Sequence, residues 1–198
     1  MTPTAGALHL ISSRLDRGEI DSEQFLEAFT RTLARLIGCS RAGIWIFVDP
    51  PHAHHLRCLA MFDAVRNEMT QATDMCGDQD SPYFETLSRH GVVDAADAWS
   101  NAATSGFRAD YLEPLDTRSI LDVGFSINGT PVGVFSCEQV GSMRPWTGRQ
   151  VQLLRAIGPR AALSLLKANS RTLDTAPGAL WEPKDPAALL TRVPPLQG

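Results

Sequence analysis

The chain has 198 residues, a formal net charge of −4 and 20% charged residues. That length is enough for one domain with a sizeable core, and the ordinary globular composition excludes a disordered chain, a collagen or a coiled-coil rod. The acidic balance argues against a nucleic-acid surface, which usually carries a basic excess.

The sequence also bears on the compartment. It contains no run of about 18 apolar residues, so it predicts no membrane span. Its first residues lack the basic start and long apolar core of a signal peptide. The four cysteines, at positions 39, 58, 76 and 137, form no CxxC pair. We therefore expect a cytoplasmic protein with reduced thiols.

Two helices are expected first. Apolar residues recur at helical spacing over 7–15, which predicts a short helix. Asp21 and Gln24 are typical of a capping box that opens a second helix over 21–37. Gly38 then favours a helix end in the left-handed conformation.

Strand signals follow the second helix. Branched and aromatic residues dominate 41–48, and a polar loop separates this segment from a second strand over 56–62. Residues 69–75 are a weaker strand candidate. The two strong segments therefore predict a hairpin.

The middle of the chain is less regular. Ser81 and Pro82 are typical of a helix start, and Gly91 ends that helix after residue 90. A short strand is expected over 92–94. Residues 97–114 predict irregular structure with at most short helical turns.

The clearest local signal is a second hairpin. Asn128 and Gly129 separate two strand-like runs, 120–127 and 130–140. Both residues tolerate the positive φ of a two-residue hairpin turn. Pro131 cannot donate a ladder hydrogen bond, so we expect it at a bulge, an edge or a non-bonded site.

A last helix and a tail complete the chain. Thr147 opens the helix with a second capping box, and the apolar face continues to about Ala168. Pro159 lies inside it, which predicts a kink or a break. Residues 169–198 predict a Pro-rich tail or linker, with Trp181 as a possible docking residue.

The order of these elements predicts the fold class. Helices at both chain ends with strands between them favour an α+β fold, with helices packed on a central antiparallel sheet. We divide the chain into an amino-terminal helical segment over 1–20, a domain over 21–168 and the tail over 169–198.

Residues 115–146 carry a stretch that resembles the GAF domain family, the small-molecule sensor fold related to PAS domains. Members attached to bacterial histidine kinases and diguanylate cyclases carry a similar pattern, and Trp45 and Phe47 match their first strand. Gly124-Phe125 and Gln139 depart from it, where the family pattern has Pro-Ile and His. The matching residues are Ser119, Leu121, Asp122, Val123, Gly129, Gly133, Val134, Cys137, Glu138, Val140, Gly141, Arg144 and Trp146.

The resemblance implies an antiparallel sheet with helices on both sides and a ligand pocket between the sheet and one layer of helices and loops. In this chain that layer is the 81–114 connection, facing an adjacent strand. Aromatic walls with a few polar anchors suit a small organic ligand. The same aromatics can equally be core residues that plug the sheet. The candidate pocket residues are Tyr83, Phe84, Asp94, Asp97, Trp99, Phe107, Tyr111 and Phe125.

Ligands known from the family are less well supported, so no cofactor is identified. The N-K-x-F-D-E motif of cyclic-nucleotide-binding members is missing. Cys76 has no adjacent His, as bilin attachment usually requires, and His90 alone is a weak haem ligand. The group of His52, His54 and His55 resembles a metal site in composition, but its expected loop position favours a solvated segment.

The resemblance implies a non-catalytic sensory protein that binds an unidentified small molecule and signals to a separate effector protein. A homodimer through the terminal helices, 21–37 and 147–168, is expected, with no nucleic acid or membrane as partner. One alternative is a ligand-free structural or dimerisation module. The other is a redox enzyme of the free methionine sulfoxide reductase type, for which Cys76 is poorly placed among acidic neighbours that raise a thiol pKa.

Overall fold

The computed structural model describes residues 3–48, 54–77 and 80–173, and in these ranges it has four α-helices and seven strands. The helices are α1 (Pro3–Asp16), α2 (Ser22–Ile37), α3 (Pro82–His90) and α4 (Gly148–Leu173). The strands are β1 (Arg41–Phe47), β2 (His55–Asp63), β3 (Glu68–Thr70), β4 (Met75–Cys76), β5 (Val92–Ala95), β6 (Thr117–Ile127) and β7 (Thr130–Val140). A 3₁₀ turn (Ser105–Phe107) and a π-helical turn (Arg108–Leu112) lie between β5 and β6.

One antiparallel sheet forms the centre of the molecule. Its strand order is β3-β2-β1-β7-β6-β5, and β4 pairs with β2. The predicted β6–β7 hairpin is confirmed, with positive φ at Asn128 (51°) and Gly129 (81°). Pro131 lies beside the register shift that follows Phe125, which places it at a bulge. The predicted α+β class is confirmed.

The predicted helix ends are confirmed by their hydrogen bonds. The backbone N–H of Gln24 donates to Oδ1 of Asp21 at 2.8 Å, and the N–H of Asp21 donates to the Gln24 side chain at 3.1 Å. Gly38 ends α2 with φ of 68°. At α4 the N–H of Gln150 donates to the Thr147 hydroxyl at 3.3 Å, and the N–H of Thr147 donates to the Gln150 side chain. Both capping boxes satisfy amide groups that a helix start leaves open.

Two local predictions need correction. The single strand expected over 69–75 is a pair of short strands, β3 and β4. At Pro159 we predict a kink or a break; of these two the break does not occur, because α4 runs through this residue to Leu173. Ile157 and Ala161, on either side of this proline, are fully buried, so packing against the core outweighs one lost backbone hydrogen bond.

Helices α1, α2 and α4 cover one side of the sheet, which we call the helical face. Leu8 and Leu15 of α1 are buried there, so the amino-terminal segment shares the core of the domain. The rings of Phe29 and Phe135 stack with centroids 5.5 Å apart. The strand residues of the helical face are Ala42, Ile44, Phe62, Leu121, Val123, Phe125, Phe135 and Cys137.

The opposite side of the sheet is covered by α3 and by the connection over 96–116, and we call it the covered face. Helices therefore lie on both sides, as expected. A second apolar cluster fills the space, with Trp45, Met61, Tyr83, Tyr111 and Leu112 among its buried members.

Some predicted segments lie outside the described residues. They include most of the Pro-rich tail with Trp181, and His52 in the loop after β1. Within the described ranges, no helix combines the length and the apolar character that a bilayer span requires.

Two glycines on neighbouring strands test this packing. A Cβ added at Gly133 would lie 2.1 Å from the carbonyl oxygen of Trp45, whereas one added at Gly124 would meet nothing nearer than 3.6 Å. We expect Gly133→Ala to lower the free energy of unfolding by about 3 kcal/mol, because β1 and β7 must separate to admit it. Gly124→Ala is the matched control and should leave stability unchanged or slightly raised. Urea denaturation followed by tryptophan fluorescence measures both, and equal effects would contradict the observed strand contact.

Candidate functional site

Polar side chains line the covered face in two adjacent rows across β1, β7 and β6. Arg41 lies opposite Glu138 in the first row. Gly43, Ser136 and Asp122 are opposite one another in the second row. Because side chains alternate along a strand, the residues in these rows share one face of the sheet. The register alone therefore brings a guanidinium and two carboxyl groups together in the interior.

The first row is a hydrogen-bonded network. Nη2 of Arg41 donates to Oε2 of Glu138 and to the Thr117 hydroxyl. The Tyr111 hydroxyl donates to Oε1 of Glu138 at 2.6 Å. Burial lowers the pKa of Arg41, but the neighbouring carboxylate more than offsets this and the pKa is raised. Burial and the same carboxylate raise the pKa of Tyr111 well above its usual value, so both partners keep their protons at neutral pH.

The second row contains the carboxyl group of Asp122, which forms no ion pair with any described residue. The Tyr83 hydroxyl donates to Oδ2 of Asp122 at 2.6 Å. Burial raises the pKa of Asp122 to about 7, although hydrogen bonding by Ser136 and Tyr83 lowers it in part. Oδ1 of Asp122 and Nε1 of Trp45 are buried without a well-formed hydrogen bond to any described residue. Protonated and ionised forms of Asp122 therefore coexist near neutral pH.

The covering layer is fastened to the sheet by these tyrosines. Tyr83 lies in the first turn of α3, which starts at Pro82 and ends at Gly91 with φ of 66°. Tyr111 lies in the π-helical turn. Phe107 contacts Tyr83 edge to face at 5.4 Å between centroids. The covering layer thus combines two tyrosine hydroxyl groups with apolar side chains. This mixture of a few polar groups and many apolar ones is typical of a ligand pocket.

The structure brings only some of the predicted pocket residues together. Asp97 lies in a turn and accepts a hydrogen bond from the Ser100 hydroxyl at 2.7 Å. Asp94 is exposed on β5, on the side opposite the buried Val93 and Ala95. Phe125 lies on the helical face, 4.6 Å from Phe135 between ring centroids. The predicted residues that do meet on the covered face are Tyr83, Phe84, Trp99, Phe107 and Tyr111.

The pocket prediction did not include the three charged groups at the centre of the site. In the sequence, Asp122 and Glu138 are identified only as matches to a family pattern, and Arg41 only as the first residue of a predicted strand. A signal was present, since Asp122 lies between Leu121 and Val123 and Glu138 follows Cys137, each within a strand. A charge at an inward-facing strand position has to be paired or to serve a site.

Two cavities open at opposite ends of the covered face. One, of about 240 Å³, lies near Gly124 and Gly133, and we call it the glycine cavity. The other, of about 410 Å³, reaches Arg41 and Tyr111, and we call it the Arg41 cavity. The Arg41 cavity is lined by Arg41, Met61, Asp63, Val65, Arg66, Thr70, Gln71, Ala72, Tyr111, Pro114, Leu115 and Val140.

Among the described residues, no cysteine or histidine lines either of these two cavities. Burial raises the pKa of Cys58 to about 12, and Cys76 is exposed on β4. Nε2 of His55 lies 3.0 Å from the Asp74 carboxylate, and His54 packs edge to face on Phe84. Within the part of the chain that the structure describes, no three His, Cys, Asp or Glu side chains are grouped to hold a metal ion.

Comparisons with known proteins agree with this architecture. The profile of the GAF domain family matches residues 21–165. A phycoerythrobilin-bound GAF domain from a cyanobacterial phytochrome is similar, with a TM-score of 0.66 and 14% identity over 87% of this chain and 99% of that one. The blue-light absorbing form of the PixJ GAF domain of Thermosynechococcus elongatus has a TM-score of 0.60 and 16% identity over 82% and 95%.

A third similar structure comes from a different class of protein. It is the GAF domain of a phosphoenolpyruvate-protein phosphotransferase from Coxiella burnetii, with a TM-score of 0.58 and 12% identity over 85% of this chain and 98% of that one. A search of curated proteins finds no match. At these identities the likeness concerns the fold.

The raised pKa of Asp122 predicts a pH dependence of stability. The folded state holds this proton up to about pH 7, whereas the unfolded chain releases it near pH 4. The free energy of unfolding should therefore fall as pH rises from 4 to 7, by up to about 4 kcal/mol. Asp122→Asn keeps an acceptor for Tyr83 and should remove this part of the slope.

Urea denaturation at several pH values, from 4 to 8, measures the slope for each protein. Asp97→Asn is the matched control, because the hydrogen bond from Ser100 lowers the pKa of that carboxyl group. Its substitution should leave the downward slope in place. An unchanged slope in Asp122→Asn would show that Asp122 does not retain its proton in the folded state.

Proposed function

The chain belongs to the GAF domain family, and we propose that it is a non-catalytic sensory module that binds a small molecule at the covered face. Ligand binding would favour one arrangement of the covering layer and the helices over another. The size of such a response is set by the difference in affinity for the two arrangements.

The distribution of buried charge carries this proposal. Among the described residues, the buried charged side chains are Arg41, Asp122 and Glu138, and all three belong to the covered face. Replacing buried ion pairs by apolar residues is often neutral or stabilising, so such groups are weak contributors to stability. Of these three residues, Arg41 lines a cavity, and its Nη1 donors are not used by any described residue, which leaves hydrogen-bonding capacity for another molecule.

The bilin named for the phytochrome neighbour supports small-molecule binding in this fold, and we infer a smaller ligand for this chain. Tyr83 and Tyr111 occupy the middle of the covered face and are hydrogen bonded to the sheet. A ligand as long as an open-chain tetrapyrrole would have to displace both. A compact molecule in one of the two cavities would not.

The output is proposed to pass through a homodimer to a separate effector protein. The sequence predicts this dimer through the helices over 21–37 and 147–168, and the exposed leucines favour α1 in place of the first of these. Helices α1 and α4 pack against each other, and Leu10 and Leu163 are 58% and 45% exposed. Apolar side chains on adjacent helices suit a self-paired two-fold interface. The four free cysteines favour a reducing, cytoplasmic location.

A ligand-free dimerisation module is the second candidate, and the filling of the covered face by its own side chains favours it. The two candidates differ in one observable, the binding of a small molecule by the full chain. Native mass spectrometry of the purified protein and a thermal-shift screen of metabolites test this. If the chain is a sensor, its melting temperature should rise as the concentration of the bound ligand increases.

Variants that narrow each cavity locate the bound molecule. Leu115→Trp narrows the Arg41 cavity and Gly124→Val narrows the glycine cavity, so one of them should reduce the thermal shift. Met143→Ala, at an exposed position, is the control. A shift that survives in both cavity variants would contradict binding at the covered face, and a chain that binds nothing would favour the dimerisation module.

The proposed dimer gives a separate prediction. Leu163→Glu introduces a charge on the exposed side of α4 and should convert a dimer to a monomer in light scattering after size-exclusion chromatography. Val65→Glu is the matched control, because Val65 is 78% exposed in the turn between β2 and β3. A monomeric parent protein, or a dimer that survives Leu163→Glu, would contradict the proposed interface.

A further inference from the structure

The Arg41 cavity lies at the end of the covered face where β1 begins and β2 and β7 end. Its volume of about 410 Å³ falls in the lower part of the range for small-molecule sites, roughly 300–1,000 Å³. The sheet supplies Met61, the turn after β2 supplies Val65, and the covering layer supplies Leu115. Arg41 and Tyr111 line the cavity as well, so it borders the hydrogen-bonded network.

Arg41 brings hydrogen-bonding capacity that the protein leaves unused. A guanidinium group has five N–H donors, and both side-chain hydrogen bonds of Arg41 to described residues start from Nη2. Nη1 makes no hydrogen bond to a described residue, and Arg41 is one of the residues that line the cavity. Nε also has no partner among the described residues, but it is fully buried. An oxygen acceptor in the cavity would therefore meet the unused Nη1 donors of Arg41.

The charged side chains around the cavity restrict the charge that a bound ligand can carry. Glu138 already balances Arg41 within the network, so a doubly charged phosphate would be repelled. Arg66 lines the cavity with its side chain 70% exposed, and its contact with Glu68, at 3.9 Å, is loose. Oδ1 of Asp63 accepts the backbone N–H groups of Val65 and Arg66 and is thereby held in the turn. Asp63 is nonetheless a second negative charge at the cavity, directly opposite Arg41, so the ligand can carry at most one negative charge, which Arg41 and Arg66 would share.

We propose that the Arg41 cavity binds a small organic acid, with its carboxylate hydrogen bonded to Arg41 and its apolar body against Met61, Pro114 and Leu115. This inference rests on the proposed sensory function and names its ligand class. Carboxylates form stronger hydrogen bonds with guanidinium groups than neutral carbonyls do. The carboxylate therefore orients the ligand in the cavity, and the apolar walls determine which apolar groups fit beside it.

Matched pairs of probes test the ligand class on the full chain. Hexanoate and benzoate carry the proposed carboxylate, and hexanamide and benzamide have the same shape without the charge. Calorimetric titration at neutral pH should give dissociation constants about tenfold lower for the acids than for the amides. Added salt should weaken binding of the acids, because Arg66 is exposed to solvent.

Three variants locate the bound acid. Arg41→Lys keeps a cation beside Glu138 but loses the planar donor group, so affinity for the acids should fall about tenfold. Leu115→Trp should reduce binding of acids and amides alike, because it fills the apolar part of the cavity. Met143→Ala is the control, and circular dichroism checks that every variant folds.

The outcomes separate this inference from the proposed function. Equal affinity for acids and amides, or acid binding that Leu115→Trp leaves unchanged, would overturn the inference even if Arg41→Lys does not fold. If no acid binds but another compound of the metabolite screen does, the sensory function stands and the organic-acid site falls. If neither binds, both proposals fall.

Discussion

Two buried carboxyl groups on neighbouring strands determine how the covering layer is attached to the sheet. Asp122 of β6 accepts from Tyr83 and Glu138 of β7 accepts from Tyr111, each at 2.6 Å. A buried carboxyl group without partners is expensive, so each tyrosine has one position that satisfies the sheet beneath it. These two bonds fix α3 and the π-helical turn, and the cavities are the space that remains at either end.

The two faces of the sheet differ in the buried charged groups that they carry. The helical face is a continuous apolar core that joins three helices to the sheet, and burial of such surface is the main source of folding free energy. The covered face carries Arg41, Glu138 and Asp122. Burial raises the pKa of Asp122 to about 7, because it disfavours the ionised carboxylate. Both faces bury an apolar cluster, but among the described residues the buried charged side chains all lie on the covered face. Their retention at a cost is the physical basis for proposing a binding role.

How far the sequence predicts this molecule depends on the range of the interactions. Capping at Asp21, the turn at Asn128-Gly129 and the α+β order follow from neighbours within a few positions. The site does not, because Arg41 and Glu138 are 97 residues apart in the chain and Tyr83 and Asp122 are 39 apart. Phe125, predicted as a pocket residue, lines the glycine cavity but packs its ring on the helical face, because alternation shows which residues share a face but not which layer covers it.

Strand β6 contacts both layers. Asp122 lies on the covered face under Tyr83, and Phe125, three residues along, contacts the helical face. A Cβ at Gly158 of α4 would meet Phe125 at 2.7 Å, so α4 packs closely against this side chain. A displacement of β6 at Asp122 would therefore reach α4 through one buried contact. Such contact becomes coupling only if α4 has two arrangements that the bound molecule distinguishes, which is the condition that the proposed sensory role places on the terminal helices.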